Sequence, residues 1–272
     1  MKTMNKLTFL FGLILFSHLG TLHLLHGQSF MDRLVEIGDG FYVDAEEISN
    51  IDWKEYLFWV AREGEGDSTD FWAAHPDTSV WLGQLVSGDD AMAKIYFNHP
   101  AYDNYPLVGV SYEQAQKYCK WRADRIREVV GPGATVDLEF RLPSLAEWTL
   151  IRRLNHPDLH YKVKKKNQGK SLFNHRRPRS EPPGMANPNY LLTAPVRSFL
   201  VSEMGVYNLY GNVAEMLAEK GVAVGGSFFH SKKVIYAGIN QSYTGPAHWL
   251  GFRCVAIATK KSGNLIGVKG KS

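Results

Sequence analysis

The sequence predicts a single compact α+β domain that is poor in regular secondary structure, and three observations carry that prediction. Helix signals with their own capping residues lie at Ser49, Ser111 and Ser144, ahead of the glycine-rich stretches. Short apolar runs bounded by glycine, the pattern of brief strands, dominate the second half. No internal repeat and no shift in composition separates the halves. With 272 residues, 44% apolar and 12% aromatic, there is enough apolar material for one sizeable core.

Taken in order, the chain begins with Lys2 and Lys6, the uncharged run from Leu7 to Phe16, and small residues at Gly20 and Gly27. That is the layout of an export signal ending near Gly27 and Gln28. An uncleaved anchor is the rival, because residues 7–25 carry no Lys, Arg, Asp or Glu. The short apolar core and the polar Ser17, His18, Thr21 and His23 favour cleavage. The expected organisation is a signal peptide over 1–27, the folded domain over 28–259 and a flexible basic tail over 260–272. The expected location is periplasmic or outer-membrane-associated, and the absence of cysteine near Gly27 argues against a lipid anchor on that residue.

Loss of Lys2 and Lys6 takes the formal charge from +4 to +2. Basic residues still gather at 162–166, 176–179 and in the tail. They suit an anionic surface such as polysaccharide or lipid headgroups, or simply a solvated loop, and nucleic acid is not an expected partner of an exported chain.

Leu34 to Val43 alternates around Gly38-Asp39-Gly40 and predicts two short strands. Ile48 to Ala61 predicts a helix capped by Ser49 or Asn50, with Ile51, Tyr56, Leu57 and Val60 on its apolar face. The next forty residues read as long ordered loops pinned by buried rings. Ser111 with Gln114 opens a second helix with Ala115, Tyr118, Cys119 and Arg122 on one face, and Ser144 with Glu147 opens a third. Residues 155–190 read as a polar surface excursion. Strand-like runs follow at 222–229, 234–236 and 252–257.

The chemistry-bearing stretch is Gly205 to Glu215. There Asn208, Asn212 and Glu215 crowd a glycine-containing turn, which can bring side-chain and main-chain oxygens onto one hard cation. Equally, Asn and Gly form turns and Glu215 is a solvated charge. The two cysteines, Cys119 and Cys254, read as one disulfide in an oxidising compartment or as two buried thiols. No histidine pair has metal-ligand spacing on an intact helix, since Pro157 separates His156 from His160. Ser227 after two glycines reads as close backbone packing rather than a nucleophile. Trp72, Trp81 and Trp249 fit either a stacking surface for sugar or protein or the core.

Six blocks in one order then carry a resemblance: Phe41 to Asn50, Pro106 to Ala115 with Tyr118 to Trp121, Arg141 to Trp148, Gly211 to Glu215, Gly225 to Ser227 and Gly251 to Cys254. Together they resemble the formylglycine-generating enzyme, or sulfatase-modifying factor, family over nearly the whole mature chain. Asn98 to Val110 and Pro76 to Trp81 look most like its gliding-motility and type IX secretion lipoprotein branch. The resemblance implies a C-type-lectin-like topology with structural calcium held by the side chains of Asn208 and Glu215 and the main-chain oxygens of Gly211 and Val213. It also implies a structural disulfide between Cys119 and Cys254.

The family's enzymes oxidise a substrate cysteine to formylglycine with oxygen and a copper(I) ion held by two cysteines. Those positions fall here near His230 and Ile235, so the resemblance implies a vestigial active site, and copper is not an expected cofactor. The function expected is that of a non-catalytic exported binding or scaffold component of the cell envelope, associated with type IX secretion or gliding motility. Its expected partners are other envelope, secretion or gliding proteins. The alternative is a formylglycine-generating oxidoreductase acting on protein cysteines.

Overall fold

Apolar alternation in the first and last strands brings the two ends of the domain together. In the computed structural model, which describes residues 31–64, 68–84, 90–155, 172–176, 192–199 and 201–260, β1 (Leu34–Gly38) and β2 (Phe41–Asp44) form the expected hairpin. The chain end β8 (Val255–Lys260) pairs antiparallel with β2, Tyr42 opposite Ala256, and on its other edge with β3 (Val136–Arg141). The first sheet therefore runs β1-β2-β8-β3. A second sheet, β6-β5-β4-β7, is built from much shorter strands: β4 (Ala214–Met216), β5 (Val222–Val224), β6 (Gln241–Ser242) and β7 (Leu250–Gly251), with β4 and β7 parallel. The expected signal peptide, the body of the basic excursion and the tail beyond Lys260 lie outside the described residues.

The helices start where their capping chemistry places them. Ser49 caps α1 (Asn50–Glu63) and Asp52 closes the box back onto the Ser49 amide at 2.9 Å. Ser111 with Gln114 opens α4 (Tyr112–Val130), and Ser144 with Glu147 opens α5 (Leu145–Leu154), both as read from the sequence. On α4 the face Ala115, Tyr118, Cys119 and Arg122 is buried as expected. Ile51 is not: it lies on the outer side of α1, 41% exposed, because the inward face is set by Trp53, Tyr56 and Leu57.

Two further expectations are corrected. The stretch read as loops contains the short helices α2 (Ser68–Ala74) and α3 (Ala91–Ile95) and two 3-10 turns, Thr78–Trp81 and Pro100–Tyr102. The run Val234-Ile235-Tyr236 is helical, within α6 (Lys232–Ala237), rather than a strand. Its β-branched residues are overridden by a Ser231 cap and a left-handed Gly238 that ends the turn.

The core sits between α1, α4 and the sheets. Trp53 stacks on Tyr118 at 5.3 Å and meets Phe252 edge-on, so α1, α4 and the segment before β8 share one aromatic cluster. A buried ion pair, Arg122 with Asp44 at 2.7 Å, fastens α4 to the end of β2. The same Asp44 carboxylate accepts the Cys254 amide at 2.9 Å. No helix among the described residues is long and apolar enough to cross a membrane.

Candidate functional site

The turn from Asn208 to Glu215 lies inside the protein. Asn208 and Asn212 both adopt left-handed backbone, φ +52° and +64°, which asparagine tolerates better than other side chains. Between them Gly211 has φ +77°, and a Cβ there would stand 1.9 Å from the Asn174 carbonyl, so only glycine fits. The Asn212 side chain bridges the Ala194 backbone, its Oδ1 accepting the amide at 2.8 Å and its Nδ2 donating to the carbonyl at 3.1 Å. The Asn208 Nδ2 donates to Val196 O at 3.0 Å.

Both asparagines also donate to one carboxylate that the sequence reading had not singled out. Glu47 accepts Asn208 Nδ2 at Oε2 (3.0 Å) and Asn212 Nδ2 at Oε1 (2.9 Å). It is fully enclosed, and burial, opposed by Arg253 and reinforced by Glu215, pushes its carboxyl up to about 8.

Glu215, expected on a cation, does meet one: the Arg253 guanidinium. Arg253 Nε donates to Oε2 at 2.7 Å and Nη2 to Oε1 at 2.6 Å, a two-pronged pair with both partners almost completely buried. Trp148 Nε1 adds a 3.2 Å bond to the same Oε2. Two more guanidinium hydrogens go to main-chain oxygens of Tyr207 (2.9 Å) and Asp44 (3.1 Å). Calcium takes six to eight oxygens, usually with carboxylates among them. Here both Glu215 oxygens face a guanidinium and both Glu47 oxygens face amide N–H groups. Among the described residues Asn208 Oδ1 meets no donor. Those side-chain oxygens do not make a calcium shell built on Glu215.

The second location follows the Gly225-Gly226-Ser227 turn. His230 Nδ1 stands 2.8 Å from Ser227 Oγ, which also accepts the Phe229 amide at 3.1 Å. Burial lowers the His230 pKa, and its ring meets Trp249 in a T-shaped contact at 5.2 Å. Ser227 is fully enclosed, which leaves its hydroxyl no access to a substrate. His248 lies between Trp81, Phe228 and Phe229, and burial pushes it down to about 4. Ile235 is buried against Ile151, Phe173 and Val255, and its Cγ1 fills the space where a Cβ on Gly226 would sit, 2.5 Å away. An imidazole and an aliphatic side chain do not make the paired soft ligands that copper(I) selects. Among the described residues no three His, Cys, Asp or Glu side chains converge as a metal site.

Cys119 and Cys254 are neighbours, as the resemblance implies. Their sulfurs are 3.2 Å apart, both buried and unbonded here. Burial, followed by the contact with Cys119, holds the Cys254 thiol well above its usual range. Of the three tryptophans, Trp81 is core, Trp249 is half-buried and Trp72 is exposed.

A family model described as the sulfatase-modifying factor enzyme 1-like domain matches residues 22–258. The chain belongs to that family. The mouse (Mus musculus) formylglycine-generating enzyme is 25% identical over 262 residues, covering 80% of this chain and 66% of its own length. Among solved structures, PvdO from Pseudomonas aeruginosa (TM-score 0.49, 18% identity, 80% of each chain) and CarF (TM-score 0.49, 18% identity, 80% of this chain and 86% of that one) are similar. So is Treponema denticola variable protein 1, with TM-score 0.47, 13% identity and coverage of 82% and 90%. The sulfatase-modifying factor domain is thus present as a mixed helix and sheet unit.

Proposed function

We propose that this chain is a non-catalytic member of the sulfatase-modifying factor family, an exported binding or scaffold component of the cell envelope associated with type IX secretion or gliding motility. The carrying observation is Ile235. At a position where the family's enzymes place a copper-binding thiol, this chain has a branched aliphatic side chain locked into the core beneath Gly226. The other position, His230, spends one ring nitrogen on Ser227. The chain's two thiols lie together between α4 and the segment before β8, in another part of the core.

Export is supported by the charged, then apolar, then small-residue pattern of residues 1–27, and the narrower assignment by Pro76 to Trp81 and Asn98 to Val110. Two experiments test this reading. Cross-linking in envelope fractions should recover secretion or gliding components, and recovery of none would argue for a free periplasmic protein. Incubating the purified chain with copper, oxygen and a cysteine-containing peptide should leave the peptide free of aldehyde. Aldehyde captured by a hydrazide would favour the oxidoreductase instead.

A further inference from the structure

The turn that the family resemblance assigns to calcium is closed here by a different cation. We infer that the Arg253 guanidinium occupies the structural role of the divalent ion, clamping the two ends of the Tyr207–Glu215 turn so that this domain folds without calcium. A bound ion in such a turn gathers oxygens from residues that would otherwise repel or drift apart. Arg253 makes those connections itself. It holds Tyr207 O at one end and both oxygens of Glu215 at the other, and a third contact to Asp44 O ties the turn to the end of β2.

Charge favours the same assignment. A dication would have to enter beside a fully enclosed guanidinium and compete for a carboxylate whose oxygens are already 2.6 and 2.7 Å from its nitrogens. The neutral acceptors of the turn, the unpartnered Asn208 Oδ1 and the main-chain oxygens, carry no net charge to offset that repulsion. Of the other buried acidic groups, Glu47 has each oxygen engaged by an asparagine amide, and Asp44 Oδ2 accepts from Arg122 and from the Cys254 amide. Arg253 is anchored from the other side as well, since it lies between Phe252 and Cys254 in the chain segment that enters β8. The guanidinium is therefore delivered by the fold and needs no supply from solution.

The test is thermal unfolding of the purified full chain in excess EDTA and in millimolar calcium chloride. The inference predicts melting points that agree within about 1 °C, because a ligand absent from the native state adds nothing to it. A saturable upward shift with calcium overturns the inference. A second arm uses Arg253→Met alone and together with Glu215→Leu. The single change strands a buried carboxylate and should lower the melting point by about 10 °C or abolish folding, whereas the double change removes both charges and should recover a large part of that loss. Equal or greater loss in the double variant overturns the inference, because Arg253 would then not be acting as the counter-ion of Glu215.

Discussion

Gly211 shows how strictly one residue can be specified by its neighbours. With φ at +77° and the Asn174 carbonyl where a Cβ would stand, Gly211→Ala should lose at least about 2 kcal/mol, seen as a lower denaturant midpoint; an unchanged midpoint would contradict the geometry. Glu47 makes a second prediction at this scale. Burial raises its carboxyl from 4.5 to about 8, so the folded state holds a proton that the unfolded chain has released. Its contribution to stability is complete below about pH 4.5 and is lost as the pH rises to about 8. Relative to Glu47→Gln, the native protein should lose about 5 kcal/mol across that window in chemical denaturation, and parallel curves would refute the assignment. Nothing local in the sequence marks Glu47. Its amide partners lie 161 and 165 residues away, so its role exists only once the chain is folded. Glu215 was legible as important but not as the partner of Arg253, for the same reason over a separation of 38.

At the scale of elements, the readable features were those with short-range chemistry. The boxes at Ser111 and Ser144 involve residues three apart, and both mark real helix starts. In α5 the Arg141 hydrogen bond, then the Ser144 contacts, hold Glu147 down to about 2, so the cap persists until the pH falls through that range. Ser144→Ala should lower stability by about 1 kcal/mol in thermal or urea unfolding, and a neutral result would mean that packing of Trp148 and Ile151 alone fixes α5. The stretch Val234 to Tyr236 misled because β-branched and aromatic residues favour strands. What decides its state is the bracket of Ser231 and Gly238, whose carbonyl and amide contacts close a helical turn. The small helices before Pro106 were missed because none is long enough to show a period.

Across the whole molecule, the ends of the domain are fastened by contacts between distant segments: β2 with β8, Asp44 with Arg122, and the two sulfurs beside them. Oxidation of Cys119 and Cys254 would close a loop spanning 135 positions, worth about 4 to 5 kcal/mol in the chain-entropy model. Protein prepared in an oxidising compartment should therefore melt higher than the same protein under reductant, and coincident melts would show that the pair stays as thiols.

The α+β class and the family could be read from ordered short blocks, whereas the proposed loss of the copper ligands took on structural meaning only with Ile235 seen in the core. The direct test of that loss is copper(I) competition against a chromophoric chelator under reducing conditions, with His230→Cys/Ile235→Cys as the comparison. The account predicts that the native chain leaves the copper with the chelator while the double-cysteine variant withdraws it. Stoichiometric withdrawal by the native chain would contradict the account.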